Sequence, residues 1–219
     1  MPIERLPRQG LSKHQENRIE KRERLMRSGF EVFTETGYDN TTVSDIVRRA
    51  GMTPSTFYNY FRDKDALLSD IIEDVVGLVM EALSASRANP VRFDDFISGI
   101  AGALYKVLAD DRDVGNFFRR NLPLVRSLID HPAVIKLNSE IRSDLQVFVN
   151  REEIESVDLD YAVAVLRASL FEVAIVMLSR TPPDREGAVE FTGRIVAGAL
   201  SAKGRAPGLN RHPTRLVGS

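Results

Sequence analysis

The sequence predicts an all-α protein in which a small N-terminal domain of three helices precedes a larger helical domain. Three observations support this fold class. Apolar residues recur with the helical period, the alternation typical of strands is absent, and glycine, proline or asparagine turn signals separate the periodic stretches. With 219 residues, 43% hydrophobic and 28% charged, the chain has the composition of a soluble globular protein with a sizeable core.

The first helix is predicted from its two ends. Ser12 and Gln15 have the spacing of a capping box, and Gly37 is a suitable stop after Thr36. Between these ends, apolar residues share one face, namely Ile19, Met26, Phe30 and Phe33. The periodicity therefore predicts a helix over about 13–36 with one buried face.

Two shorter helices follow, and a long fourth helix comes after them. Thr41 or Thr42 caps a helix through Ala50, which Gly51 ends. Thr53 is in position to cap a third helix over 54–61, with Pro54 at its first position. We expect a fourth helix over about 65–87, capped by Asp63, and further helices near 91–109, 113–130, 133–150, 158–180 and 184–201.

The predicted domains are a flexible arm over 1–12, a helix-turn-helix domain over 13–65, a larger helical domain over 66–203 and a disordered tail over 204–219. Charge is distributed unevenly between them. Residues 1–64 hold 12 Lys and Arg against 9 Asp and Glu, whereas the whole chain has a net charge of −1. The positive excess lies where a DNA-facing domain would be expected.

Several classes of function lack support in the sequence. The chain has no cysteine, which excludes disulfides, thiolate catalysis and cysteine-based zinc sites. Its three histidines are far apart, and no nucleophile motif or glycine-rich phosphate loop occurs. We therefore expect no cofactor, no metal and no enzymatic activity.

The apolar segment 161–178 contains Arg167 and Glu172, and the N-terminus lacks the apolar core of a signal peptide. We expect no membrane partner and a cytoplasmic location.

The segment 41–68 carries the functional prediction. One helix buries its apolar stripe, a glycine-containing turn follows, and a second helix is presented outward, as in a DNA-binding helix-turn-helix. Phe57 and Phe61 are expected to point into the core. The outward residues should then be Ser55, Thr56, Tyr58, Asn59 and Tyr60, which suit contacts to phosphates and base edges, with Lys64 near a phosphate.

This segment resembles the DNA-binding domain of the tetracycline-repressor (TetR) family over roughly residues 15–70. The matching stretch runs from Thr41 and Thr42 through Gly51 to Leu68. The resemblance implies phosphate contacts by Thr42, Tyr58 and Lys64, and DNA contacts by the recognition helix. The full set implied to contact DNA is Thr42, Ser44, Thr53, Pro54, Ser55, Thr56, Tyr58, Asn59, Tyr60 and Lys64.

The resemblance also implies a repressor that binds a palindromic double-stranded operator as a homodimer and is released by a small molecule. The helices over 158–180 and 184–201 are the expected dimer interface, through Val165, Leu170, Ile175, Phe191, Ile195 and Ala199. An effector pocket between helices is expected at Phe96, Ile100, Leu104, Phe117, Phe118, Leu122, Arg167 and Phe171.

The effector itself is expected to be largely apolar, such as a fatty acyl compound or an aromatic. Each aromatic residue could instead be ordinary core, and Arg167 and Glu172 could have structural partners. The residues alone also leave open an activator, a regulator without a ligand, a helical interaction module and a hidden enzymatic role.

Overall fold

The computed structural model describes residues 12–87 and 92–200, and within these ranges it contains ten α-helices and no strand. The predicted arm, apart from Ser12, and the predicted tail lie outside the described residues. The helices are α1 (Lys13–Thr36), α2 (Val43–Ala50), α3 (Pro54–Tyr58), α4 (Lys64–Arg87), α5 (Phe93–Asp110), α6 (Arg112–Arg120), α7 (Leu122–Ser127), α8 (Pro132–Asn150), α9 (Leu159–Ser179) and α10 (Arg185–Leu200).

The predicted starts of the first three helices and the predicted stop of α2 are confirmed by the hydrogen bonds and dihedral angles at their caps. Ser12 and Gln15 form the capping box of α1, and Thr42 forms a second one with Asp45 at the start of α2. Gly51 ends α2 with a positive φ of 62°, a conformation that glycine adopts without strain. Thr53 Oγ accepts the backbone N–H of Thr56 at 3.3 Å and so begins α3.

The third helix is shorter than predicted, because its last turn tightens. The backbone N–H of Asn59 bonds to Thr56 O, and that of Tyr60 bonds to Phe57 O. These bonds span three residues and belong to a 3₁₀-type turn, which closes α3 at Tyr58. The turn keeps Phe57 and Phe61 on the buried side, as predicted.

The segment predicted as one helix over 113–130 is split in two at Asn121. The Asn121 side chain is buried, and its Oδ1 accepts the backbone N–H of Tyr38 at 2.7 Å. Its Nδ2 donates to Phe33 O at 3.0 Å and to Phe117 O at 2.9 Å. The amide thus bonds α6 to the end of α1, and the chain turns there into α7 and a short 3₁₀ turn at Leu128–Asp130.

The larger domain is built around α5, which packs against both α4 and α10. Tyr105 on α5 is fully buried, and its hydroxyl lies 2.8 Å from Thr192 Oγ on α10. Burial raises the pKa of Tyr105 to about 12, so the phenol stays neutral and fit for this hydrogen bond at physiological pH. The contact fixes α10 against the domain core and leaves the opposite side of α10 exposed.

Helix α9 contains the apolar segment that Arg167 and Glu172 interrupt. By length and composition alone it would pass as a span, with a mean hydropathy of 1.9 in its most apolar window. Core helices of soluble proteins have the same composition, and α9 places Leu166, Leu170 and Met177 in the core.

Removal of the Asn121 amide should destabilise the fold. Asn121→Ala would leave the buried N–H of Tyr38 without its partner, and we expect a loss of about 2–3 kcal/mol in the free energy of unfolding. Chemical denaturation would measure it. Asn116 is an exposed asparagine of α6, so Asn116→Ala is the matched control and should change stability by less than about 0.5 kcal/mol. Equal stabilities of the two variants would contradict this account of Asn121.

Candidate nucleic-acid interface and internal cavity

Helix α3 presents a polar surface that is held in place from behind by aromatic rings. Phe57 is completely buried, and its ring centroid lies 5.6 Å from that of Phe61. On the outer side Ser55, Tyr58 and Asn59 are exposed, as predicted. Because the inner rings fix the rotation of this short helix, its outer hydroxyl and amide groups are presented in a defined orientation.

Two residues predicted to face outward are only half-buried. Tyr60 packs partly against the hydrophobic core, because the tight turn after α3 brings its ring inward. Thr56 Oγ lies 3.0 Å from Thr53 Oγ, so the two hydroxyls share a hydrogen bond at the helix start. Pro54 and Thr53 remain exposed beside them.

Thr42 and Ser44 are exposed at the beginning of α2. The Thr42 hydroxyl donates to Asp45 Oδ2 at 2.6 Å, and Asp45 also receives a bond from Arg48 at 2.7 Å. These contacts, the Thr42 hydroxyl first, lower the pKa of Asp45. Asp45 therefore stays ionised and holds the exposed guanidinium of Arg48 near the end of α2.

The ammonium group of Lys64 is hydrogen-bonded within the domain, which its position in the sequence does not indicate. Its Nζ donates to the carbonyl oxygens of Tyr38 at 2.8 Å and Thr41 at 2.9 Å. The same nitrogen lies 4.0 Å from the centre of the Tyr38 ring. Since an ammonium has three donors, one N–H is left to point elsewhere. Lys64 thus ties the α1–α2 loop to α4.

Two exposed arginines near α3 were not predicted as contacts. The side chains of Arg62 and Arg48 are 86% and 78% exposed, and each pairs with an adjacent aspartate. Arg49, by contrast, is bonded to Glu31 and Glu35 on α1. The sequence shows all three as equal basic residues, whereas in the structure the side chain of Arg49 is only 37% exposed.

A cavity of about 340 Å³ lies inside the larger domain, between α4 and α9 and the helices that separate them in the chain. Six of the eight predicted pocket residues line it, namely Ile100, Leu104, Phe117, Phe118, Arg167 and Phe171. The predictions of Phe96 and Leu122 are wrong. The Phe96 ring packs on that of Phe148 at 5.1 Å, and Leu122 follows the α6–α7 junction and packs on the core outside the cavity.

The residues that form one wall of the cavity were not predicted from the sequence. Helix α4 contributes a stripe of apolar side chains at helical spacing, and α8 adds several more. The missed lining residues are Ile72, Val75, Val76, Val79, Leu83, Val134, Leu137 and Ile141. The spacing of 72, 76, 79 and 83 was the available signal, since it predicts a face that turns away from the N-terminal domain.

Four polar side chains line the cavity, and they differ in their bonding. Arg126 on α7 forms an ion pair with Glu172 on α9, and both side chains are more than half exposed. Arg167 and Asn138 make no hydrogen bond or ion pair within residues 12–87 and 92–200. Of the two charges on α9 that could have structural partners, Glu172 has one in Arg126, whereas Arg167 has none in the described ranges.

The outer faces of α9 and α10 expose large apolar side chains. Val165 is 54% exposed, Phe191 49% and Ile195 51%, as expected of an unpaired interface. Tyr161 and Val176 belong to the same exposed set and were not predicted. Ala199 is exposed and Ile175 is half-buried. Leu170, however, is only 6% exposed and lines the cavity, so its assignment to an interface is wrong.

Substitution of Lys64 and of Tyr58 should affect folding differently. Lys64→Met removes two charge-assisted hydrogen bonds to backbone carbonyls, and we expect it to lower the free energy of unfolding by about 1.5 kcal/mol without DNA. Tyr58 is exposed, so Tyr58→Ala should change it by less than about 0.5 kcal/mol. Urea unfolding of both variants beside the parent protein checks this. A Lys64→Met protein as stable as the parent would show that the carbonyl contacts contribute nothing.

Comparison with known proteins agrees with this arrangement. The family described as bacterial regulatory proteins of the tetR family matches residues 25–71. The uncharacterized HTH-type transcriptional regulator YdgC of Bacillus subtilis is 27% identical over 146 residues, which is 64% of this chain and 74% of the relative.

Two solved structures share the fold over most of their length. FadR from Bacillus subtilis, in complex with stearoyl-CoA, superposes with a TM-score of 0.69 at 17% identity, over 81% of this chain and 98% of that one. RolR in complex with resorcinol superposes with a TM-score of 0.63 at 25% identity, over 87% and 92%. The chain is a DNA-binding transcriptional regulator of the helix-turn-helix class, and its residues 25–71 match the DNA-binding domain of the tetR family of bacterial regulatory proteins.

Proposed function

We propose that this regulator is a cytoplasmic homodimeric repressor that binds a palindromic operator and releases it when a largely apolar molecule fills the cavity. One observation carries the proposal: helix α6 lines the cavity and is also bonded to the DNA-binding domain. In this proposal the protein has a DNA-binding part over 13–65 and an effector-binding and dimerisation part over 66–203. The boundary between them lies in the first turn of α4, which begins at Lys64.

In this proposal α3 lies in the major groove. The amide of Asn59 can bond bidentately to an adenine, and the hydroxyls of Ser55 and Thr56 can reach neighbouring bases. Tyr58, Thr42 and the remaining N–H of Lys64 are placed at phosphates. Because α3 carries no Lys or Arg, attraction to the phosphate backbone would depend on flanking cations, including the exposed Arg62.

Dimerisation would use the exposed apolar faces of α9 and α10. A palindromic site read by two recognition helices requires their separation to be close to one helical turn, about 34 Å. A self-complementary apolar patch is the surface expected of a twofold dimer. Val165, Phe191 and Ile195 would be buried by it.

The coupling route runs through two contacts between α6 and α1. The rings of Phe117 and Phe30 stack with centroids 5.2 Å apart, and Asn121 bonds to both Phe33 and Tyr38. Phe117 also lines the cavity. A ligand that displaces Phe117 would therefore displace α1, and operator affinity would fall if the ligand binds the two arrangements unequally.

The chemistry of the cavity favours an effector with a large apolar part. Its walls are almost entirely aliphatic and aromatic side chains. Two of the similar structures were solved with a ligand, FadR with stearoyl-CoA and RolR with resorcinol. Both a fatty acyl chain and a small aromatic ring are therefore compatible with this fold.

Operator binding tests the DNA-reading part of the proposal. The operator would be isolated by selection from random DNA, and affinity would be measured over a range of salt concentrations. Asn59→Ala should weaken binding to the selected site about 10- to 100-fold and leave non-specific binding unchanged, because it removes a base contact. Asn116→Ala is the matched control on an exposed site of α6. Similar losses for both asparagine variants, or the absence of any selected sequence, would contradict the proposal.

The dimer interface can be tested with a pair of isoleucines of nearly equal exposure. Ile195 on α10 is 51% exposed and Ile135 on α8 is 52% exposed. Ile195→Asp should give a monomer in sedimentation equilibrium, because a charge would be buried without a partner in the interface. Ile135→Asp should leave the dimer intact. A monomeric parent protein, both free and bound to DNA, would refute the dimer.

A further inference from the structure

The cavity carries an uncompensated positive charge. Arg126 and Glu172 neutralise each other, which leaves the guanidinium of Arg167 as the remaining charge in the lining. Arg167 is partly buried on α9 and has no hydrogen bond or ion pair in the portions of the chain that the structure describes. A guanidinium that has lost part of its water and gained no acceptor is unfavourable until an anion reaches it.

A neutral apolar ligand would leave this cost unchanged. A carboxylate would remove it, because the planar fork of arginine matches the two oxygens of a carboxylate and forms two parallel charge-assisted bonds. The Asn138 amide, on α8 and also unbonded within residues 12–87 and 92–200, offers a second donor to the same cavity. The polar groups of the lining therefore suit an acid better than an alcohol or a hydrocarbon.

Resting on the function proposed above, we propose that the effector is an amphipathic carboxylate whose apolar body fills the cavity and whose acid group is bound by Arg167. The volume of about 340 Å³ is near the lower end of the range for small-molecule sites, roughly 300–1,000 Å³. An apolar body of medium size, such as a medium-length alkyl chain or an aryl group on a short chain, fits this volume.

Arg167 has no acid at the i±3 or i±4 positions of its own helix, because positions 163, 164, 170 and 171 hold Val, Ala, Leu and Phe. Glu172 is one helical turn and a residue beyond Arg167 on α9, and it would be the nearest acid along the helix. Arg126 on α7 holds its carboxylate instead. Because both members of this pair are largely solvent-exposed, they mark the side of the cavity that faces water, where a charged headgroup would lie.

Isothermal titration calorimetry on the full chain tests the assignment, since the protein has no tryptophan for a fluorescence assay. The probes are two matched pairs, decanoate with 1-decanol and 4-phenylbutyrate with 4-phenylbutanol, together with decanoyl-CoA. We expect at least one acid to bind about tenfold or more tightly than its alcohol. Arg167→Met should weaken acid binding about 10- to 100-fold and change alcohol binding less than threefold.

Arg112→Met is the matched control, because Arg112 is exposed, lies outside the cavity and has no hydrogen bond or ion pair with any residue that the structure describes, so this variant should bind like the parent protein. Arg167→Gln serves as a second variant if Arg167→Met unfolds. Equal affinity for acid and alcohol, an unchanged Arg167 variant or no acid binding at millimolar concentration would each overturn the proposal. Binding of decanoyl-CoA without either acid would overturn it as well, because the anion would then come from phosphate.

A DNA-release assay with the same probes separates this inference from the function on which it depends. Release of the operator by alcohols as well as acids would overturn the carboxylate and leave the ligand-released repressor intact. If an acid bound through Arg167 and no probe weakened operator binding, the carboxylate site would stand and the proposed release mechanism would fail.

Discussion

The buried side chain of Asn121 is the interaction on which the relation between the two domains depends. One amide group bonds to three backbone groups, two of which belong to the end of α1 more than 80 residues away in the chain. No other residue type provides a donor and an acceptor with this geometry at this length. Because a buried polar group must be satisfied, α6 cannot shift without carrying the end of α1 with it or breaking these bonds.

A second constraint acts within the DNA-binding domain, where much of the positive charge is used internally. Lys64 bonds to two carbonyls, Arg49 to two glutamates and Arg22 to Asp70. These bonds fix α1, α2 and α4 around α3, at the expense of cations that could otherwise face phosphates. Placement of α3 and general attraction to DNA are therefore carried by different residues, and the number of Lys and Arg residues in the segment overstates the cations available to DNA.

The local features of the fold were predictable from sequence, and the features that depend on distant contacts were not. The caps at Ser12, Thr53 and Gly51 involve residues three or four apart, so their spacing is enough to identify them. Pro123 is a local signal for the break near Asn121, whereas the three bonds of the Asn121 amide depend on partners from α1 and α6 that its own position does not indicate. Leu170 shows that site residues are limited in the same way. It was predicted at the dimer interface but lines the cavity, because the sequence of an apolar helix does not reveal which of its sides meets a cavity.

The two sides of α9 connect the cavity with the proposed dimer interface. Leu166 and Leu170 line the cavity, whereas Val165 and Val176 lie on the exposed face of the same helix. A well-packed helix responds to a new occupant by shifting as a unit, because its interior cannot be compressed. An occupant of the cavity would therefore act at once on α9, which carries part of the proposed dimer interface, and on α6, which is bonded to α1. In the proposed dimer both movements would alter the separation of the two recognition helices, so a modest displacement at the cavity would be sufficient to lose the match to a fixed half-site spacing.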